Sequence, residues 1–136
     1  MSSEDDAALS AWIAALNHEL PAEIAVSPDI VVERYGWAPG RLVVAERISG
    51  AREVSVWIHR NRGHARFELD PAPPFSALPP FRVVRYRMHW GDYINGGIWA
   101  YTLIDGRIAT LTHRPEDVPL EWRHGPPSGK KLPQGP

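Results

Sequence analysis

Histidines are the side chains in this sequence that are best suited to bind a metal ion or to transfer a proton near neutral pH. His59 and His64 flank a short polar segment, and they lie opposite each other if that segment is the turn of a β-hairpin. A metal ion would need a third ligand, which His89 on a later strand could supply. No third ligand stands at a fixed spacing, so the pattern predicts paired surface histidines and no metal site.

A second candidate for proton transfer is the segment His-Trp-Gly-Asp-Tyr, which contains His89 and Asp92. A carboxylate beside an imidazole orients the ring and raises its pKa, as an acid–base pair requires. Asp and Gly are also typical turn residues, so we interpret the segment as a turn. The chain has no cysteine and none of the common nucleotide-binding or hydrolase motifs. No catalytic residue and no cofactor is therefore predicted.

Tryptophan is the most unusual component of the sequence, because six indole rings are difficult to bury in the core of a 136-residue chain. Some of them should be exposed, and exposed Trp together with Arg is typical of the side chains that dominate protein–protein affinity. We therefore predict that the chain recognises another protein. The contacts predicted for this recognition are Trp37, Trp57, Arg66 and Trp122.

An alternative interpretation places aromatic rings inside the molecule. A curved sheet could enclose a cavity for a small molecule, with aromatic walls and a polar group at the mouth. The chain would then be a small enzyme or a small-molecule-binding domain. The residues predicted to line this cavity are Tyr86, His89, Trp90, Asp92, Trp99 and Tyr101.

The charge balance argues against nucleic acid and membranes as partners. The formal net charge is −1, so no overall field attracts the chain to either of them. A local face with Trp57 and several Arg side chains resembles a nucleic-acid-binding surface, but Glu residues nearby can neutralise it. The uncharged run Ala7–Asn17 is too short to span a membrane, so a cytoplasmic location is expected. Arginine outnumbers lysine 13 to 2, which is typical of a GC-rich bacterial genome.

The elements that must position these residues follow from the apolar periodicity. A period of three to four residues predicts a helix from Asp6 to Leu20, and Pro21 ends it. After Pro21 the period falls to about two, which indicates strands. Outside the predicted hairpins, the strands are expected over residues 30–34, 42–48 and 82–90.

Two β-hairpins complete the prediction. The first covers residues 53–69 and places Val56 on the core side and Trp57 on the opposite side. The second turns at the dipeptide Asp105-Gly106, which favours a two-residue type I′ turn. Its predicted register pairs Leu103 with Ile108, Tyr101 with Thr110 and Trp99 with Thr112.

We therefore predict an α+β fold, with one N-terminal helix followed by a mainly antiparallel sheet of about six strands arranged as a meander of hairpins. Residues 1–5 are expected to be a disordered N-terminus, residues 6–124 a single domain, and residues 125–136 a disordered tail rich in Pro, Gly and Lys. The expected function is that of a small cytoplasmic bacterial binding protein, such as a toxin-neutralising immunity protein or a chaperone. The sequence leaves open whether the chain forms a homodimer.

Overall fold

The fold was analysed in a computed structural model, which describes residues 3–39, 41–60, 65–70, 82–91 and 93–115. Three helices and six strands lie within these ranges. In chain order they are α1 (Ser3–Leu16), α2 (Ala22–Ala25), β1 (Val26–Ala38), β2 (Arg41–Ser49), α3 (Ala51–Arg60), β3 (Arg66–Leu69), β4 (Arg82–Trp90), β5 (Tyr93–Ile104) and β6 (Arg107–Pro115).

The six strands form one sheet in the order β2-β1-β6-β5-β4-β3. All neighbours are antiparallel except β1 and β6, which run parallel as the second and third strands of the sheet. The predicted fold class, an N-terminal helix followed by a mainly antiparallel six-stranded sheet, is confirmed. No helix in the described ranges has the length and apolar character needed to cross a membrane.

Helix α1 begins and ends earlier than the periodicity predicts. It starts at Ser3, so residues 3–5, which were expected to be disordered, form its first turn. It ends at Leu16 because His18 adopts a left-handed conformation with φ of 63°. The amide nitrogens of His18 and Glu19 then donate to the carbonyl oxygens of Ala15 and Ala14, which is the bond pattern of a Schellman C-cap. Pro21 is therefore not what stops the helix.

The predicted hairpin over residues 53–69 is wrong, because residues 51–60 form helix α3. The buried positions of this segment are three to four residues apart, at the spacing of one helical face: Ala51, Val54, Trp57 and Ile58. Val56 is 50% exposed and Trp57 is 1% exposed, which reverses the predicted orientation of both. His59 therefore lies at the end of a helix, and His64 lies outside the described residues.

The predicted turn at Asp105-Gly106 is confirmed, since both residues have positive φ as a type I′ turn requires. Leu103 pairs with Ile108 as predicted, but the register then shifts by one residue. The predicted pairings of Tyr101 with Thr110 and of Trp99 with Thr112 are therefore wrong, and Tyr101 pairs with Leu111. Trp99 pairs instead with His113. A β-bulge of this kind adds one residue to one strand and moves the following side chains to new partners.

The helices of the described ranges pack on one face of the sheet, which we call the inner face. It carries the buried side chains of the central strands: Ile30, Val32, Val84, Tyr86, Trp99, Tyr101, Leu111 and His113. Helix α1 contributes Leu9, Trp12 and Leu16 to this core, and α3 contributes Val54 and Trp57. The inner face is thus lined by an unusual number of aromatic rings, and its few polar atoms stand out.

Candidate functional site

The candidate site is a cluster of aromatic rings on the inner face of β3, β4, β5 and β6. The ring of Tyr86 stacks on Trp99 with a centroid separation of 4.7 Å, and on His113 with a separation of 4.8 Å. Phe67 packs against all three of these rings. From α1, the indole of Trp12 meets Trp99 edge to face. The cluster therefore joins one helix and four strands around the Tyr86 side chain.

Tyr86 reaches His113, two strands away, because the intervening strand carries a glycine at this level. Tyr86 pairs with Gly97 in the β4–β5 register. A Cβ atom at Gly97 would lie 2.7 Å from the Tyr86 hydroxyl and would also collide with the Arg114 carbonyl. The absence of a side chain at Gly97 thus provides the space in which the phenol crosses β5.

His113 is hydrogen-bonded through both ring nitrogens. Its Nδ1 lies 2.9 Å from Nε1 of Trp99, and its Nε2 lies 3.1 Å from the hydroxyl oxygen of Tyr86. Burial, and to a lesser extent the positive charge of Arg34, lower the pKa of His113 to about 3. Burial also raises the pKa of the Tyr86 hydroxyl well above its ordinary value. Both side chains are therefore neutral at physiological pH.

Arg34 on β1 is a charged residue beside the Tyr86–His113 pair. It pairs with His113 in the β1–β6 register, and its side chain is 20% exposed. Its guanidinium Nε donates to Glu46 Oε1 at 2.9 Å, and Arg60 lies 3.5 Å from the other oxygen of the same carboxylate. One Glu46 carboxylate is thus shared by two guanidinium groups, so the positive charge of Arg34 beside His113 is only partly neutralised.

A second polar group ties the start of α1 to the same sheet. Asp5 is buried, accepts a hydrogen bond from the Tyr101 hydroxyl at 2.9 Å and forms an ion pair with Arg82 at 2.8 Å. Burial and the Asp5 carboxylate raise the pKa of Tyr101. With its hydroxyl donated to Asp5, Tyr101 has a structural role here, whereas the Tyr86 hydroxyl contacts no carboxylate among the described residues.

The structure separates the residues predicted for the alternative cavity into two groups. Tyr86, Trp99 and Tyr101 lie together on the inner face. His89 instead contacts Glu68 at 2.9 Å. With Trp90, it lines a cleft of about 460 Å³ between the end of α1 and strands β3 and β4. Asp92 lies outside the described residues.

The residues predicted for protein recognition are not brought together. Trp57 is buried beneath α3, so its predicted exposure is wrong. Arg66 is exposed and lies 3.8 Å from Glu19. The side chain of Trp37 and the whole of Trp122 lie outside the described residues. This set therefore gives no contiguous recognition surface in the part of the chain that the structure describes.

His18 and His59 stack with a centroid separation of 5.9 Å. They line a cleft of about 370 Å³ between the α1–α2 connection and α3. In the described ranges no three His, Asp or Glu side chains converge in a way that could hold a metal ion. These histidines therefore do not extend the inner-face site.

His113 is the candidate site residue that the sequence did not predict, because the predicted hairpin ends at the pair of Trp99 with Thr112. The nearest sequence signal is Gly97, whose place in a strand of large side chains indicates a close approach by a neighbour.

Comparison with known proteins identifies the fold. No protein-family model matches the chain, and no curated protein matches it. A SnoaL-like family protein from Agrobacterium tumefaciens, named as a candidate isomerase, has a TM-score of 0.63 at 18% identity, over 85% of this chain and 99% of that one. An NTF2-like protein of unknown function from Mesorhizobium loti gives 0.62 at 17% identity, over 85% and 93%.

An LEH-like epoxide hydrolase from M. tuberculosis gives a TM-score of 0.57 at 21% identity, over 85% of this chain and 84% of that one. At such identities the likeness concerns the backbone alone. The chain has an NTF2-like α+β fold.

Proposed function

We propose that this protein binds a small apolar molecule on the inner face of its sheet and holds one oxygen atom of that molecule with the Tyr86 hydroxyl. The observation that carries the proposal is the buried Tyr86–His113 pair, whose hydrogen-bonding atoms lie in a wall of aromatic rings. An apolar site with a few placed polar groups is the usual composition of a small-molecule site.

A buried donor near Tyr86 also supports this proposal. The indole nitrogen of Trp12 is buried and has no hydrogen-bond partner among the described residues. A buried donor without an acceptor costs about 1–3 kcal/mol, so such a group usually indicates a bound water or a ligand. Trp12 contacts Trp99, on which Tyr86 also stacks, so both donors adjoin the same ring.

The protonation states limit the chemistry that the pair can perform. A histidine whose pKa is about 3 is too weak a base to take a proton from carbon at neutral pH. A phenol with a raised pKa is a hydrogen-bond donor and does not supply a phenolate. The pair is suited to polarise an oxygen that only accepts hydrogen bonds, such as that of a ketone or an epoxide.

The comparisons support a small-molecule function over protein recognition. One structure of this fold is an epoxide hydrolase of the LEH-like type and another is named as a candidate isomerase. Both names describe activities on small molecules. Trp57, one of the four residues predicted for protein recognition, is buried.

The test uses two probes that differ only in the oxygen, 1-tetralone and tetralin. Their affinities for the full chain are measured by NMR titration. We expect 1-tetralone to bind about 2- to 12-fold more tightly, which corresponds to one net neutral hydrogen bond of about 0.5–1.5 kcal/mol. In Tyr86→Phe this preference should vanish while the affinity for tetralin is kept.

Tyr35→Phe is the matched control, because Tyr35 lies on the opposite face of the sheet. Its ring is 5.3 Å from the Arg114 guanidinium, and its loss of a hydroxyl should leave the preference unchanged. Failure of both probes to bind, or an undiminished preference for the ketone in Tyr86→Phe, would overturn the proposal.

A further inference from the structure

The two hydrogen bonds of His113 have a fixed direction. An indole Nε1–H donates and cannot accept, so the atom 2.9 Å from it, Nδ1 of His113, must present a lone pair. A ring flipped by 180° would place carbon atoms opposite both Trp99 and Tyr86, so the two contacts also fix the ring orientation. A neutral imidazole with an unprotonated Nδ1 carries its hydrogen on Nε2.

This tautomer decides what the Tyr86 hydroxyl can do. Nε2–H of His113 donates to the phenol oxygen, 3.1 Å away. The phenol therefore acts as the acceptor in this bond, and its own proton is not used by His113. No other hydrogen bond of the Tyr86 hydroxyl occurs among the described residues. The proton is left to point away from His113, towards any acceptor on the inner face.

The opposite tautomer would consume that proton. With its hydrogen on Nδ1, His113 would offer a lone pair at Nε2, and the phenol would donate to it. The Tyr86 hydroxyl would then have no proton free for a ligand. With the three rings in the same positions, the Tyr86 proton is thus either available to a ligand or donated to His113. The hydrogen bond from the Trp99 indole nitrogen decides which of these two states occurs.

We propose that Trp99 is a positioning residue, which fixes the tautomer of His113 and thereby keeps the Tyr86 hydroxyl proton available to a ligand oxygen. The ligand part of this statement rests on the proposed function, whereas the tautomer does not. Donation by His113 to the phenol oxygen also polarises the phenol, which strengthens its donation to the ligand.

The first measurement is ¹⁵N NMR of histidine-labelled protein at pH 7, with His113→Gln used to assign the signals. The expected spectrum of the wild-type protein has a protonated Nε2 and an unprotonated Nδ1 at His113. In Trp99→Phe the acceptor bond at Nδ1 is lost, and the ratio of Nδ1–H to Nε2–H tautomers should rise by roughly 2- to 12-fold.

Trp12→Phe is the matched control, because it removes an equal volume from the same cluster without touching His113. It should leave the tautomer ratio unchanged. If Trp99→Phe does not fold, 3-benzothienylalanine at position 99 keeps the bicyclic shape and removes only the N–H. A wild-type His113 protonated at Nδ1, or a ratio that does not respond to loss of the Trp99 N–H, overturns the proposal.

The second measurement repeats the probe titrations with the Trp99 variant. The preference for 1-tetralone over tetralin should fall towards one, as in Tyr86→Phe. If the tautomer ratio shifts in the Trp99 variant but the wild-type protein binds neither probe, the proposed function is refuted. The role of Trp99 in fixing the tautomer then remains. A ketone preference that needs Tyr86 but survives with an unchanged tautomer refutes only the role of Trp99.

Discussion

Gly97 is the residue on which the geometry of the candidate site depends most directly. Strand β5 separates Tyr86 from His113, and any side chain at Gly97 would occupy the position of the phenol. Tyr86 can contact His113 only while this one position has no Cβ atom. The geometry of the site thus depends on the absence of a side chain at Gly97 as well as on the side chains of Tyr86 and His113.

We predict that Gly97→Ala displaces the Tyr86 hydroxyl and destabilises the protein by about 1–3 kcal/mol or more, the usual cost of overpacking a core. Its Cβ would lie 2.7 Å from that hydroxyl. Urea denaturation measures the loss, and the His113 ¹⁵N shifts report the displacement. Gly36→Ala is the control, because its Cβ would meet side-chain atoms alone, the Ala45 Cβ at 3.2 Å and Arg34 Nη1 at 3.8 Å. Equal losses in both variants would contradict the prediction.

The neutral state of His113 predicts how stability depends on pH. Its pKa is about 3 in the folded protein and 6.5 in the unfolded chain. Between these values the unfolded chain binds the additional proton, so stability is full above about pH 6.5 and falls as the pH decreases towards 3. The slope approaches about 1.4 kcal/mol per pH unit.

Urea denaturation between pH 7 and pH 5 measures this slope, before most carboxylates titrate. His113→Gln should lower stability at pH 7 and flatten the profile. An NMR titration provides a check that does not require the variant to fold. The ¹⁵N shifts of His113 should stay constant over the same range, and a transition near pH 6 would disprove the prediction.

At the scale of elements, the sequence predicted those parts of the fold where the spacing of apolar residues fits only one kind of secondary structure. The strand β4 and the turn at Asp105-Gly106 were correct, and Tyr86, Trp99 and Tyr101 were placed together. The segment 54–58 is compatible with both periods, because Val54 and Ile58 lie on one face of a strand and also on one face of a helix. Short apolar runs of this kind cannot be assigned by period alone.

His113 could not be placed for a different reason. The register shift between Thr102 and Leu103 depends on how two strands pair, so it cannot be inferred from the sequence of either strand alone. The parallel pairing of β1 with β6 joins segments about 80 residues apart and likewise has no local signal. Burial of Trp57 followed from the helix, and the prediction of protein recognition weakened with it.

Helix α3 gives a prediction that distinguishes it from the strand first inferred. Trp57→Ala should cost about 3–5 kcal/mol, because the ring is buried, whereas Val56→Ala should change stability by less than about 0.5 kcal/mol. The strand interpretation predicts the opposite ranking. Denaturant midpoints of the two variants decide between them, and a larger loss for Val56→Ala would refute the helix.

Edge strand β3 provides a further prediction. Asn17, just after α1, donates from Nδ2 to the Phe67 carbonyl at 2.9 Å and accepts from the Phe67 amide at 2.8 Å. Its carboxamide thus pairs with the edge strand as another strand would, and protects that edge. Asn17→Ala should cost about 1–3 kcal/mol for two net hydrogen bonds. Faster exchange of the Phe67 amide, measured by NMR, should accompany the loss, and unchanged exchange would contradict it.

At the scale of the whole molecule, elements from both ends of the described chain contribute to the inner face. The first and last strands, β1 and β6, are neighbours within the sheet, and α1 packs on its inner face. Asp5 and Tyr101, which are 96 residues apart, are joined by a hydrogen bond. Helix α1 is thus held to the sheet at its first turn by Asp5 and along its length by side chains such as Trp12.

We predict that Asp5→Ala loosens α1 without dismantling the sheet. The variant loses charge-assisted bonds to Tyr101 and Arg82, at a cost of about 1.5–3 kcal/mol, and water can solvate Arg82 because it is already partly exposed. Hydrogen exchange followed by NMR should show α1 amides losing more protection than those of β5 and β6, since α1 would then open locally before global unfolding.

Asp6→Ala is the control, because Asp6 carries the same charge in the same helical turn but is exposed. Any contribution of charge to the helix dipole is common to both variants, so a greater loss in Asp5→Ala isolates the buried contacts. Equal effects of the two substitutions, or uniform loss of protection across helix and sheet, would show that α1 is held by its apolar face alone.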